Sequence, residues 1–295
     1  MSDGTEKELL RQITGALAQP MSELEHTRAL RDLTRLRDRL ERRDYAISAY
    51  GTNTFDIPDR AEELLTEIDF HASLGRAWAA ILRAHELQRS PSALDLCPGW
   101  TPKVELGLYY AGFQGELLIL DRSAPALAKL ERFLALFGPP FGVRPLVADL
   151  FQVELAPQPL VIGHHLVDDV AIDAACERAG LDPAQVYTEE AAFRRVWTIL
   201  LRDAAAWRAH LVDHLAAGLH RLVAPGGVIL LAQYPSYTER LLGMQEASAF
   251  SAEVLAGVCG WLQARGYQPL DMSAARGVSK FAPMEAFRGL RQERP

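Results

Sequence analysis

The chain has 295 residues, 49% of them apolar, and a formal net charge of −7. That apolar content can build a sizeable buried core. The negative charge argues against a nucleic-acid partner, because such binding depends on Lys and Arg at the phosphates. Three widely spaced cysteines predict neither a disulfide framework nor a zinc cluster. A polar N-terminus and the lack of any apolar run of about 20 residues predict a cytoplasmic protein without a membrane span.

Residues 1–90 are predicted to form a helical N-terminal extension. Leucines recur there every three or four residues, which places them on one helical face: Leu30, Leu33, Leu36 and Leu40. The Arg and acidic residues between them predict a solvated face, or alternatively a surface that pairs two copies of the chain or closes over a ligand. A loop at 45–58 carries Tyr50, a candidate substrate contact, and another helix is predicted over 59–88.

From residue 91 to 295, short apolar runs alternate with helical patterns. The predicted strands are 93–96, 116–120, 144–147, 160–162 and 228–232. The predicted helices are 102–110, 124–137, a helical insertion over about 168–223, and 252–265. This alternation predicts a doubly wound α/β sheet in a second domain. The segments 268–272 and 286–290 predict a terminal hairpin whose last strand is antiparallel.

The turn after the first predicted strand is a candidate ligand site, because open α/β sheets bind ligands beyond the carboxyl ends of their strands. Asp95 lies near the end of that strand, and Gly99 would let the backbone approach a ligand. A dinucleotide needs several glycines and free N–H groups for its pyrophosphate, whereas Pro98 and Pro102 lack an N–H. The turn therefore argues against NAD and favours a cationic sulfonium ligand.

The next two strand ends also carry carboxylates. Asp121 follows the second strand, where its oxygens can accept hydrogen bonds from both ribose hydroxyls. Asp149 follows the third strand and can accept a hydrogen bond from an adenine amino group, with Phe151 as an apolar wall. Any one of these aspartates alone could be a helix cap. Carboxylates at three successive strand ends are better explained by a shared ligand.

The sequence at this point resembles the class I S-adenosylmethionine-dependent methyltransferases. The resemblance spans about 93–290 and rests on five segments: ALDLCPG, ELLILDRS, LVADLF, PLVIGHHLVDD and HRLVAPGGVILLAQYPS. It implies a seven-stranded Rossmann-like sheet with the last strand antiparallel, and S-adenosyl-L-methionine as cofactor. The first turn departs from the family, because Cys97 and Thr101 stand where glycines are expected.

The same resemblance implies which residues bind the cofactor. Asp95, Cys97 and Gly99 would lie along the methionine portion. Asp121 and Arg122 would lie at the ribose, and Asp149, Leu150 and Phe151 at the adenine.

The fourth strand leads into His164, His165 and Asp168, at the point where this fold presents the transferring methyl group. Either His is a candidate catalytic base, since imidazole titrates near neutral pH. These three residues, with Tyr234 after the fifth strand and Tyr50, are the predicted substrate contacts. The His-His-x-x-Asp-Asp pattern contains metal-binding residue types, but adjacent side chains diverge, so we predict no metal site.

The leading functional hypothesis is a methyltransferase acting on the oxygen, nitrogen or carbon of a small molecule. The N-terminal helices and the 168–223 insertion would enclose the substrate, and the N-terminal helices could also form a homodimer. Two alternatives stay open. The chain could bind the cofactor without turnover, or it could transfer another group, such as the aminocarboxypropyl arm.

Overall fold

The computed structural model describes residues 61–99, 102–186, 189–236, 239–240, 242–279 and 281–293. The leucine-rich segment and the loop with Tyr50 lie outside them. The helices are α1 (Ala61–Ala84), α2 (Lys103–Ala111), α3 (Ala124–Phe137), α4 (Leu166–Ala179), α5 (Pro183–Val186), α6 (Glu190–Arg202), α7 (Ala204–Leu222) and α8 (Gln245–Gln263). The strands are β1 (Ser92–Leu96), β2 (Glu116–Asp121), β3 (Gly142–Val147), β4 (Gln158–His164), β5 (Val223–Ala232), β6 (Tyr267–Pro269) and β7 (Phe287–Gln292).

The seven strands form one sheet in the order β3-β2-β1-β4-β5-β7-β6. Strands β1 to β5 pair in parallel, and β7 runs antiparallel to both β5 and β6. The predicted doubly wound sheet and terminal hairpin are thereby confirmed. The strand order reverses beside β1, which pairs with β2 on one side and β4 on the other.

Both faces of the sheet are covered by helices, because side chains alternate along each strand. In β2, Leu117 and Ile119 join the core with α1, α2 and α3, whereas Leu118 and Leu120 join the core with α4, α6, α7 and α8. Parallel strands buried on both faces are expected to read as continuous apolar runs. This is why the central strands could be located in the sequence.

The described end of the predicted N-terminal extension packs directly on the sheet domain. Helix α1 contributes Leu74, Trp78 and Leu82 to the core, each with none of its surface exposed. A Cβ atom on Gly107 of α2 would lie 2.5 Å from the Cβ of Trp78, so a side chain there would push the two helices apart. The division at residue 90 and the role of residues 168–223 as an insertion stay predictions.

Several boundaries differ from the sequence prediction; helix α8, for example, begins at Gln245 rather than at residue 252. The 168–223 region is broken into α4, α5, α6 and α7, with left-handed Gly180 ending α4. Strand β5 begins at Val223 rather than Val228, because it includes the Pro-Gly-Gly segment, and its pairing with β4 shifts register between Gln158 and Leu160. None of the described helices is long and apolar enough to cross a bilayer.

Candidate functional site

A cavity of about 900 Å³ opens at the carboxyl ends of the parallel strands. It falls within the size range of small-molecule and cofactor pockets. It is lined by residues from all five strand ends, among them Cys97, Asp121, Asp149, His165 and Tyr234. The position beside the reversal of strand order is the one expected for a ligand site in an open α/β sheet.

The turns after β1 and β2 are tied together by Asp121. Its Oδ2 accepts a hydrogen bond from the Gly99 N–H at 3.0 Å, and its Oδ1 accepts one from the Ser123 N–H at 2.8 Å. Because a carboxylate oxygen can accept more than one hydrogen bond, this side chain can also accept one from a ligand hydroxyl. Gly99 has a φ of +63°, and a Cβ there would meet no atom within 4 Å. The turn therefore leaves open space above its backbone.

The turn after β3 presents Asp149, Leu150 and Phe151 to the same cavity. Asp149 accepts hydrogen bonds from the Phe151 N–H at 2.8 Å and from the Gln152 side chain at 3.2 Å. The Phe151 ring stacks on His214 with centroids 3.8 Å apart. These contacts make one wall of the cavity flat and aromatic, the shape that a purine ring needs.

Arg122 lines the cavity next to Asp121. The side chain is exposed and pairs with Asp173 at 3.2 Å. Cys97 also lines the cavity and has a φ of +52°. A non-glycine residue in the left-handed region is strained and is common at functional sites.

Asp95 is placed differently from the prediction. It is completely buried in β1 and is not among the residues that line the cavity. Its neighbour Glu105, in α2, is also completely buried. Burial raises the pKa of Asp95 well above its usual range and raises the pKa of Glu105 to about 7. The carboxyl groups of Asp95 and Glu105 are therefore buried next to each other. Their proximity could not be predicted from the sequence.

Lys103 is a cavity residue that the sequence analysis missed. It occupies the first turn of α2, close enough to Asp168 and Asp169 for both to favour its charged form. Burial nevertheless lowers the pKa of Lys103. The signal available in the sequence was its place directly after the Thr-Pro that opens this helix. An ammonium group here suits the carboxylate of an amino-acid tail.

His164 is held between two partners in the core. The Trp78 indole N–H donates to Nδ1 at 3.0 Å, and Nε2 lies 3.0 Å from the Tyr234 hydroxyl. Because an indole nitrogen only donates, the neutral ring carries its proton on Nε2 and donates it to Tyr234. Burial also lowers the pKa of His164 well below its usual value. With both nitrogens engaged, this ring is poorly placed to accept a proton from a substrate.

His165 has the arrangement of a catalytic base. Its Nδ1 lies 3.0 Å from Asp168 Oδ2 and 3.3 Å from the Gln233 amide nitrogen. The shorter contact to a carboxylate favours a proton on Nδ1, which leaves the Nε2 lone pair available. None of the described residues bonds to Nε2. His165 has a φ of +62°, so His165 and Cys97 are two of the three described non-glycine residues with positive φ, and both line the cavity.

The structure thus brings nearly all of the predicted site residues together. Cys97, Gly99, Asp121, Arg122, Asp149, Leu150, Phe151, His164, His165, Asp168 and Tyr234 line one cavity. Asp95 lies outside its lining, and Tyr50 lies outside the described residues. The part of the chain that the structure describes contains no cluster of three His, Cys, Asp or Glu side chains placed to bind a metal ion.

No family model and no curated protein matches the sequence. Among solved structures, the fold is similar to magnesium protoporphyrin IX methyltransferase from Synechocystis PCC 6803 with bound SAH, at 14% identity and a TM-score of 0.45, over 90% of this chain and 100% of that one. It is also similar to NSun6 from Pyrococcus horikoshii with SFG, at 13% identity and a TM-score of 0.45, over 76% of this chain and 52% of that one.

A third similar structure is the CcbJ methyltransferase from Streptomyces caelestis, at 15% identity and a TM-score of 0.32, over 55% of this chain and 53% of that one. The fold assignment rests on the sheet itself, with seven strands, helices on both faces and an antiparallel last strand. The chain has the class I methyltransferase fold.

Proposed function

We propose that the protein is an S-adenosylmethionine-dependent methyltransferase that acts on a small molecule. The observation that carries the proposal is the continuity of one cavity. Its lining runs from Asp149 and Asp121, past Gly99, to the His165–Asp168 pair. A site of this kind offers cofactor contacts at one end and a proton acceptor at the other.

The residues present fit the cofactor from its adenine to its amino-acid tail. Phe151 and Asp149 supply an apolar face and an acceptor for the adenine, and Asp121 supplies acceptors for the ribose hydroxyls. Gly99 leaves room for the chain that follows, and Lys103 offers a cation for the terminal carboxylate. The prevalence of carboxylates in the lining also suits a positively charged sulfonium.

When bound, the cofactor supplies an electrophilic methyl group on a cationic sulfur. The chain's own residues then have distinct tasks. His165 accepts the proton that the acceptor atom gives up, and Asp168 holds the ring and stabilises its charged form. His164 keeps the Tyr234 side chain in place, with the Tyr234 hydroxyl at the cavity wall. Orientation of the two reactants in one cavity supplies most of the rate enhancement.

A small substrate is favoured over a macromolecule by the lining. The cavity has the volume of a small-molecule site, and its described wall contains more carboxylates than cations. A nucleic-acid phosphate would be repelled there.

The first test is calorimetric titration of the protein with S-adenosylhomocysteine. In the second, the protein is incubated with S-adenosylmethionine and a panel of small alcohols, amines and carbon acids, and the products are identified by mass spectrometry. We expect saturable one-to-one binding and a product heavier by one methyl group. No binding would overturn the proposal. If S-adenosylhomocysteine binds but no compound of the panel is converted to a product, the result would instead support a protein that binds the cofactor without catalysis. An aminocarboxypropyl product would identify the other alternative.

A further inference from the structure

The substrate end of the cavity combines carboxylates with aromatic rings. We define it by four lining residues and name it the acceptor end: His165, Asp168, Asp169 and Tyr234. The two aspartates belong to the first turn of α4, and the centroids of the Tyr234 and His165 rings are 4.4 Å apart. Carboxylates beside aromatic faces are the groups that recognise a cationic amine.

A buried acceptor next to His165 has no donor. Asp168 is only 8% exposed; its Oδ2 faces His165, but its Oδ1 makes no hydrogen bond. Helix position explains why an acid occurs in the first turn of α4. Helix position does not explain why a buried oxygen of Asp168 has no hydrogen-bond donor. Such an oxygen destabilises the folded protein until a ligand supplies the donor.

The charge of the lining points the same way. The described wall contains the carboxylates Asp121, Asp149, Asp168, Asp169, Asp173, Glu177 and Asp182. Its described cations are Lys103 and Arg122, and Arg122 is already paired with Asp173. An anionic acceptor would be repelled from this end, and a neutral alcohol would gain little from the carboxylates. An ammonium group would offset part of this excess of carboxylates and would also supply several N–H donors.

We infer that the acceptor substrate is an amine that binds in its ammonium form between Asp168 and the Tyr234 ring of the acceptor end. The inference rests on the proposed function and narrows it to N-methylation. The Nε2 atom of His165 accepts a proton from the ammonium group. This frees the lone pair of the substrate nitrogen. Transfer then forms a carbon–nitrogen bond and breaks the methyl carbon–sulfur bond of the cofactor, whose sulfur keeps the electron pair.

The experiment compares amines with matched ligands of different charge. Phenethylamine, tryptamine and cyclohexylmethylamine, each with its alcohol and carboxylate counterparts, are titrated into the full chain with and without saturating S-adenosylhomocysteine. We expect at least one amine to bind about 10- to 100-fold more tightly than its alcohol, as a charge-assisted hydrogen bond predicts, and no carboxylate to bind better than its amine. If none of the three amines binds more tightly than its alcohol counterpart, the inference is overturned.

Variants separate the carboxylate from its neighbours. Asp168→Asn should reduce amine affinity about tenfold or more while leaving S-adenosylhomocysteine affinity unchanged. Asp213→Asn, an exposed position on α7, removes the same charge away from the cavity and should change neither ligand. Amine affinity unaffected by Asp168→Asn would overturn the inference.

The two proposals can fail separately. Binding of S-adenosylhomocysteine without any amine preference would leave the proposed function intact and overturn N-methylation. Amine binding without affinity for S-adenosylhomocysteine would overturn the proposed function, although the acceptor end would still be an amine site.

Discussion

The backbone N–H of Gly99 donates a hydrogen bond of 3.0 Å to Oδ2 of Asp121, 22 residues further along the chain. This bond joins the turn after β1 to the end of β2, so the cavity is braced across two strands. Burial raises the pKa of Asp121, although the backbone donors at Ser123 and Gly99 act in the opposite direction. A ligand at this point would contact a carboxylate already held in position.

Replacement of Asp121 tests its place at the ribose. Asp121→Ala should weaken S-adenosylhomocysteine binding by about 100-fold, because two charge-assisted hydrogen bonds are lost, while the protein stays folded. Calorimetric titration measures the affinity, and circular dichroism checks the fold. Glu116→Ala is the control, since Glu116 is an exposed residue at the opposite end of the same strand. Unchanged affinity in Asp121→Ala would mean that the ribose lies elsewhere.

Gly99 and Gly112 share a left-handed backbone conformation. Comparing their Ala variants therefore separates the cost of backbone strain from the effect of a side chain on ligand binding. Gly99 and Gly112 have φ values of +63° and +85°, and a Cβ on either would meet no atom within 4 Å. Each Gly→Ala change should therefore cost about 1–2 kcal/mol in the free energy of unfolding. Gly112 ends α2 and does not line the cavity, whereas Gly99 does. Urea unfolding should show similar losses for both variants, with cofactor affinity weakened in Gly99→Ala alone. Equal affinities would contradict the role assigned to Gly99.

Features that depend on local sequence were predicted well. Asp121 and Asp149 follow apolar strand runs, and both line the cavity. The predicted helix 124–137 matches α3, because Ser123 caps it and Gly138 ends it in a left-handed conformation. These features are set by residues within one or two turns of one another.

Features that depend on distant contacts were not predicted. The sequence offers His164 and His165 as equal candidates for the base. They differ because Trp78, 86 residues away, occupies Nδ1 of His164. Asp95 was expected at the cofactor, yet it is completely buried, as is Glu105 of α2. Neither arrangement has a signal in the spacing of residues along the chain.

The two histidines should respond differently to substitution. His165→Asn should lower kcat by about 100-fold or more, the usual contribution of a general base, with little change in cofactor affinity. His85→Asn is the control, because His85 lies away from the cavity and contacts only the Asp271 carbonyl oxygen among the described hydrogen bonds. Steady-state kinetics with the substrate identified by the product screen measures the effect. Full activity in His165→Asn would exclude it as the base.

Glu105 should make the protein less stable as pH rises. In the unfolded chain its carboxyl ionises near 4.5, whereas in the folded protein burial raises the pKa of Glu105 to about 7. The folded state therefore binds more protons between these values, and the free energy of unfolding falls across this window as pH rises. The shift corresponds to a loss of about 3 kcal/mol, complete above pH 7.

Glu105→Gln removes the titration of Glu105 while conserving shape. Asp95, whose pKa burial also raises, still destabilises the variant as pH rises, so its curve becomes shallower rather than flat. Measured by urea unfolding, the variant should gain about 3 kcal/mol relative to the unmodified chain between about pH 5 and about pH 8. His71, whose pKa burial lowers to about 3, contributes the opposite slope because it resists protonation only when folded. It is present in both proteins and cancels in the difference. Glu116→Gln, at an exposed site, should leave the pH dependence unchanged, and parallel curves for Glu105→Gln and the unmodified chain would show that Glu105 is ionised in both states.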